Sequence, residues 1–173
     1  MLQAAQSNMR QNYINGGPGV LVSGLAWIAA AIAAHIAGSQ IGMLTLFIGG
    51  MLIVPVSGVI EKRLKGDVSA PDKGLMRLAL LTLPLLFGGL FLGYVMSVQN
   101  DALFFPIVAF AIGLRYLVFS RIYGRKAFIV LGTLLIATGI IGYFNAPPLI
   151  IVPVAVGVIE LLIGGYLTLQ DRT

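Results

Sequence analysis

Apolar positions along the chain gather into six long runs, at 19–37, 41–60, 78–98, 102–120, 127–144 and 149–169. Each run is close to the ~20 residues that a helix needs to cross ~30 Å of hydrocarbon. None alternates with the period of two that marks a membrane barrel strand. In lipid every backbone N–H and C=O has to be paired within its own segment, and a helix does this. The pattern predicts an all-α polytopic membrane protein: six transmembrane helices within about residues 18–170, preceded by a polar segment, 1–17. Short polar breaks separate the runs at Gly38-Ser39-Gln40, Gln99-Asn100-Asp101 and Asn145-Ala146-Pro147-Pro148. Two longer, basic breaks lie at 61–77 and 121–126.

Composition agrees with this reading. The 173 residues are 58% hydrophobic and 10% charged, with a mean hydropathy of +0.98. A soluble domain is about 25% charged. There is no cysteine, which excludes disulfides, thiolate metal sites and a cysteine nucleophile. One histidine and six acidic residues leave little from which to build a metal centre, and no cofactor is expected. The first run could be read as a signal peptide. Its leader is nearly uncharged, however, and the run exceeds the usual apolar core of about 7–15 residues.

Charge placement supplies an orientation. Arg10 precedes the first run; Lys62, Arg63, Lys65, Lys73 and Arg77 lie between the second and third. Arg115, Arg121, Arg125 and Lys126 close the fourth run and fill the next loop, and Arg172 ends the chain. All eleven basic residues thus fall on one side of the predicted bundle. The positive-inside rule puts that side, and both termini, in the cytoplasm. The basic loops read as topology signals that touch anionic headgroups. The net charge of +5 therefore needs no nucleic-acid partner. The expected surroundings are the bilayer, together with a membrane-protein partner or a second copy of the chain.

Two ionisable residues interrupt the apolar runs: Arg115 in the fourth and Glu160 in the sixth. Charges inside a membrane are costly and mark function. Arg115 is thirteen residues past Ala102 and Glu160 eleven past Leu149. With a rise of ~1.5 Å per residue their depths differ by about 3 Å, so the two are expected to pair.

Two stretches resemble a family of small, uncharacterised bacterial multi-helix membrane proteins. One is Gly50–Asp67, a proline-containing helix that ends in a basic segment. The other is Phe105–Gly124, in which Gly113-Leu114-Arg115-Tyr116 leads into an aromatic-rich loop; Arg115 stands where that family commonly has histidine. The resemblance covers about residues 20–145. It implies a helical membrane fold in the bacterial inner membrane and no established activity.

Smaller features have plainer readings. Ile53–Glu61 looks like Ile151–Glu160, but the two prolines fall at opposite depths, so the likeness reads as chance in a Val/Ile-rich chain. Gly132 and Gly139, and Gly157 and Gly164, each recur seven residues apart and predict a close contact between the fifth and sixth helices. Gly89 and Gly93 give the third helix a similar face. Pro55, Pro84, Pro106 and Pro153 are candidate kinks. His35 reads as an interfacial polar residue and Trp27 as packing. Tyr94, Tyr116, Tyr123, Tyr143 and Tyr166 read as interfacial anchors. No Ser-His-Asp set, paired carboxylates or phosphate-cradling loop is legible, so an enzyme is not expected. A small transporter or ligand-binding membrane protein with a polar site at Arg115 and Glu160, and an accessory subunit of a membrane complex, both stay open, with a membrane-embedded enzyme as the weakest third reading.

Overall fold

A computed structural model of the chain describes residues 2–66 and 70–170. Asp67, in the first basic loop, and Arg172 lie outside that range. The fold is all-α. A short amphipathic helix α1 (Leu2–Tyr13) leads into α2 (Gly17–Ala37) and α3 (Ser39–Lys65). The third span is α4 (Lys73–Leu81) followed by α5 (Leu83–Ser97). Then come α6 (Phe104–Tyr123), α7 (Lys126–Asn145) and α8 (Ile151–Leu169). Among the described residues, six helical segments are long and apolar enough to cross a membrane.

Two trios build the bundle. Helix α2 packs between α3 and α8, and α6 packs between α5 and α7. Contact between α7 and α8 joins the trios, which leaves α3 and α5 outermost. The core between them holds Trp27, Phe105, Val108, Phe128, Leu131, Leu135, Val156 and Leu167, all essentially without solvent exposure.

Glycines set the helix spacing, but not between the partners that their periodicity suggested. A side chain on Gly157 would collide with Ile28 and the Gly24 carbonyl, and one on Gly164 with Leu21 and the Gly17 carbonyl, all on α2. Gly132 lies against the Gly113 carbonyl and Gly139 against the Pro106 carbonyl, both on α6. The expected glycine-to-glycine seam between α7 and α8 is therefore absent. Each helix turns its small face to a different neighbour, and the glycines there meet glycines of that neighbour: Gly157 and Gly164 of α8 face Gly24 and Gly17 of α2, and Gly132 of α7 faces Gly113 of α6. Gly89 and Gly93 do form a contact face, against Ala111, Phe104 and Val108 of α6.

Prolines disturb only one span. Pro106 and Pro153 sit in the first turns of α6 and α8, where no intrahelical N–H bond is lost. Pro55 is accommodated within α3. At Pro84 the third span breaks, and Thr82 marks the junction of α4 and α5. Asp72 caps α4 by accepting from the Leu75 N–H at 2.9 Å.

The segment expected to be simply polar is a packed helix. Leu2, Ala5, Met9 and Tyr13 recur at intervals of three and four residues, and Met9 is fully buried. Helix α1 lies across the basic end of the bundle and touches α3, α4 and α6. It also finishes α6, whose last carbonyls have no partner within the helix. Gln6 donates to the Arg121 carbonyl at 2.7 Å, and Arg10 donates to the Tyr123 carbonyl at 2.9 Å. At the opposite end of the bundle, Ser39 donates to Asp101 at 2.6 Å and clasps two turns together.

Candidate functional site

Arg115 and Glu160 do not pair. They mark two separate places on α6 and α8, and the expected ion pair is corrected to a buried carboxyl–phenol pair and a guanidinium held by Thr82 and Phe119. Glu160 has zero exposure. Its Oε1 accepts from the Tyr116 hydroxyl at 2.8 Å. Ser23 of α2 interacts with both the carboxyl and the phenol. The triad Ser23–Tyr116–Glu160 thus draws one residue from each of α2, α6 and α8. Tyr116 is core rather than an interfacial anchor, and so is Tyr123; both are buried.

Two buried polar atoms here lack a hydrogen-bond partner, Glu160 Oε2 and Trp27 Nε1. Trp27 is one turn from Ser23 on the same face of α2 and stacks obliquely on Phe105 at 6.0 Å. An unpaired buried polar atom is expensive, so natural cores rarely tolerate one without a use for it. A fully buried carboxylate with no cation would be more expensive still, and such a group needs a proton or a bound cation as neutralising partner.

Between this triad and the basic end stands an aromatic plug. Tyr116, Phe119, Tyr123 and Phe128 touch one another, with Tyr123 and Phe128 stacked at 5.0 Å and 18°. The chain passes beside them at Ile14, Asn15 and Gly16, all with positive φ (47°, 55° and 75°). Gly16 is required there: a Cβ would come within 3.0 Å of both Tyr123 and Phe128. Positive φ is costly for a β-branched residue such as Ile14, so the turn is held by its surroundings. Asn15, itself buried, donates to the Leu167 carbonyl at 3.2 Å. Its Oδ1 accepts from Arg125 Nη2 at 2.9 Å and Nε at 3.3 Å, while Arg125 Nη1 donates to Gln170 at 3.1 Å. One guanidinium therefore ties the α1–α2 turn to the α6–α7 loop and the end of α8.

Arg115 follows another direction. Its Nε donates to Thr82 Oγ1 at 3.0 Å at the break in the third span, and its guanidinium lies 5.0 Å from the Phe119 ring centre. The basic positions of the two loops divide in two. Lys62, Arg63, Lys65, Lys73, Arg77, Arg121 and Lys126 are exposed at the basic end, whereas Arg125 is half-buried in the lock just described. Sequence reasoning singled out Arg115, Glu160 and the basic loops. It missed Ser23, Thr82 and Asn15 as partners; Ser23 and Thr82 announced themselves only as hydroxyls inside apolar runs. No three His, Cys, Asp or Glu side chains converge among the described residues.

Six helices long and apolar enough to span a bilayer, packed around a sealed polar group, are the architecture of a polytopic membrane protein. Over residues 2–170 the sequence matches the model of a family of unknown function, DUF7010, and the chain belongs to that family. Neither a curated protein nor a solved structure matches it.

Proposed function

We propose that this is a small multi-pass carrier, with no enzymatic activity, whose working group is Glu160. The observation that carries this reading is the carboxyl of Glu160, fully buried, bound on one oxygen by Tyr116 and unpartnered on the other. A carboxyl must be neutralised each time it is enclosed and is free to ionise when opened to water. Coupling a proton or small cation to a solute uses that alternation. The aromatic plug and the Arg125–Asn15–Gln170 lock stand on the cytoplasmic side of the triad and describe a closed state. The even number of spans and the one-sided basic residues support cytoplasmic termini, with the loop cations against anionic headgroups. The likeness to small bacterial membrane proteins favours the inner membrane.

The test is a purified protein in vesicles containing a trapped pH dye. Addition of a panel of small organic and inorganic cations should dissipate an imposed pH gradient for at least one member, and Glu160→Gln should abolish the effect. A hydrophobic carbodiimide, which attacks protonated carboxyls in apolar surroundings, should modify Glu160 in the resting protein. Absence of both the flux and the modification would refute the carrier reading. A second reading, an accessory subunit, is favoured by α3 and by the α4–α5 span, whose apolar windows are only 17% buried in the bundle. A stable larger assembly in native lipid discs, with Glu160→Gln fully active in it, would favour that reading.

A further inference from the structure

Arg115 presents an arrangement that the Glu160 site does not use. A guanidinium has five N–H donors in a rigid fork. Here only Nε has a protein acceptor, Thr82 Oγ1 at 3.0 Å. That hydroxyl spends its own proton on the Ala79 carbonyl at 2.6 Å, so it faces Nε with a lone pair. Phe119, one turn along the same face, holds the guanidinium from beneath at 5.0 Å. The plane of the group is thus fixed by two independent contacts, and Nη1 and Nη2 remain.

Neither Nη atom donates to the protein, and neither is sealed from the surroundings, since Arg115 is only half-buried. No described carboxylate pairs with it: Glu160 is engaged by Tyr116, Asp72 by the α4 cap and Asp101 by Ser39, and Glu61, on the last turns of α3, lies towards Tyr13 and Tyr123. The side chain reaches Thr82, where Pro84 breaks the third span, and the neighbouring Leu81 and Leu85 of that span are exposed. Arg115 lies eight residues before the end of α6 at Tyr123, about 12 Å of helix rise. A charge immobilised there with its two Nη groups outward has a fixed cost and no internal partner to offset it. Parallel N–H donors on a planar fork fit two oxygens of one anion, and phosphate is the anion that a bilayer supplies.

We propose that Arg115, oriented by Thr82 and Phe119, binds a phosphate-bearing anion through Nη1 and Nη2 on the flank of the bundle, at the proline break. The phosphate could come from an anionic phospholipid headgroup or from a soluble phosphate ester; the fork recognises what the two share.

The experiment is native mass spectrometry of the full chain, released from detergent and titrated with phosphatidylglycerol, phosphatidylcholine or glycerol phosphate. The wild type should retain one anionic lipid more tightly than the zwitterionic one. Arg115→Gln should lose that preference. Arg115→Lys, which keeps the charge and loses the fork, and Thr82→Val, which frees Nε, should each weaken it about tenfold, as expected for loss of one hydrogen bond to a charged group. Thr82→Val also covers the case in which Arg115→Gln fails to fold. Saturation by glycerol phosphate that displaces the lipid would support the site and assign it to a soluble ligand. Equal retention of phosphatidylglycerol by wild type, Arg115→Lys and Thr82→Val, or equal binding of both lipids by the wild type, would overturn the proposal.

Discussion

The crossing of α6 and α7 offers the sharpest test of the packing. At Gly113 an added Cβ would lie 2.8 Å from the Gly132 carbonyl, and at Gly132 it would lie 2.7 Å from the Gly113 carbonyl. Ordinary contact begins at about 3.4 Å, so Gly113→Ala forces the two backbones apart by a good part of an ångström. The obstacle is main chain, which has no rotamer through which to escape. Overpacking of this kind costs about 1–3 kcal/mol. Helix propensity works in the opposite sense, since alanine is favoured over glycine by about 0.8–1.0 kcal/mol in a helix interior. The control is therefore Gly50→Ala or Gly88→Ala, positions on α3 and α5 with nothing within 4 Å of the added carbon. Those variants should gain stability while Gly113→Ala and Gly132→Ala lose it. The double variant should cost less than the sum, because helices already separated no longer clash at the second site. Reversible unfolding in mixed micelles, followed by circular dichroism, gives all four values. Gly113→Ala as stable as Gly50→Ala would refute the close crossing.

Two further outcomes follow from the arrangement. Cysteines placed singly at Gln40, Asn100 and Asn145 should react with an impermeant maleimide in intact cells, and one at Ala70 should react only after permeabilisation; labelling of Ala70→Cys from outside would invert the proposed topology. Glu160→Gln and Arg115→Gln should affect stability nearly independently, with a coupling below about 0.5 kcal/mol, because no hydrogen bond or ion pair joins the two side chains; a larger coupling in a double-mutant cycle would restore the ion pair.

Much of the architecture was written in the apolar runs. Their length and spacing gave six helices whose ends differ from the observed ones chiefly where polar residues prolong a helix, as at Glu61–Lys65 in α3. Periodicity also identified which glycines lie in contacts. It could not identify the partners, because a glycine face says only that something comes close. The N-terminal helix was missed for a related reason. Its polar composition suggested a solvated tail, while the spacing of Ala5, Met9 and Tyr13 already described a helix with one buried face. The Asn15 turn could not be read at all: its three positive φ values depend on Tyr123, Phe128 and Arg125, which are more than a hundred residues away.

The separation of Arg115 from Glu160 has a geometric cause that reaches into function. Equal depth along two helices is one coordinate of two; the other is the direction in which each side chain leaves its axis. Arg115 and Tyr116 are neighbours in sequence, so they leave α6 about 100° apart. Tyr116 points to the centre and takes the carboxyl of Glu160. Arg115 then has to point to the flank, where Thr82 and Phe119 receive it. Had the arginine faced the centre, Glu160 would be a neutralised member of a structural ion pair, and the proposed carrier reading would lose its working group. With a phenol there instead, one carboxyl oxygen is satisfied and the other is left to whatever enters the bundle. The one-residue offset thus gives α6 two roles at one depth: a sealed acidic centre, and a cationic flank open to the surroundings.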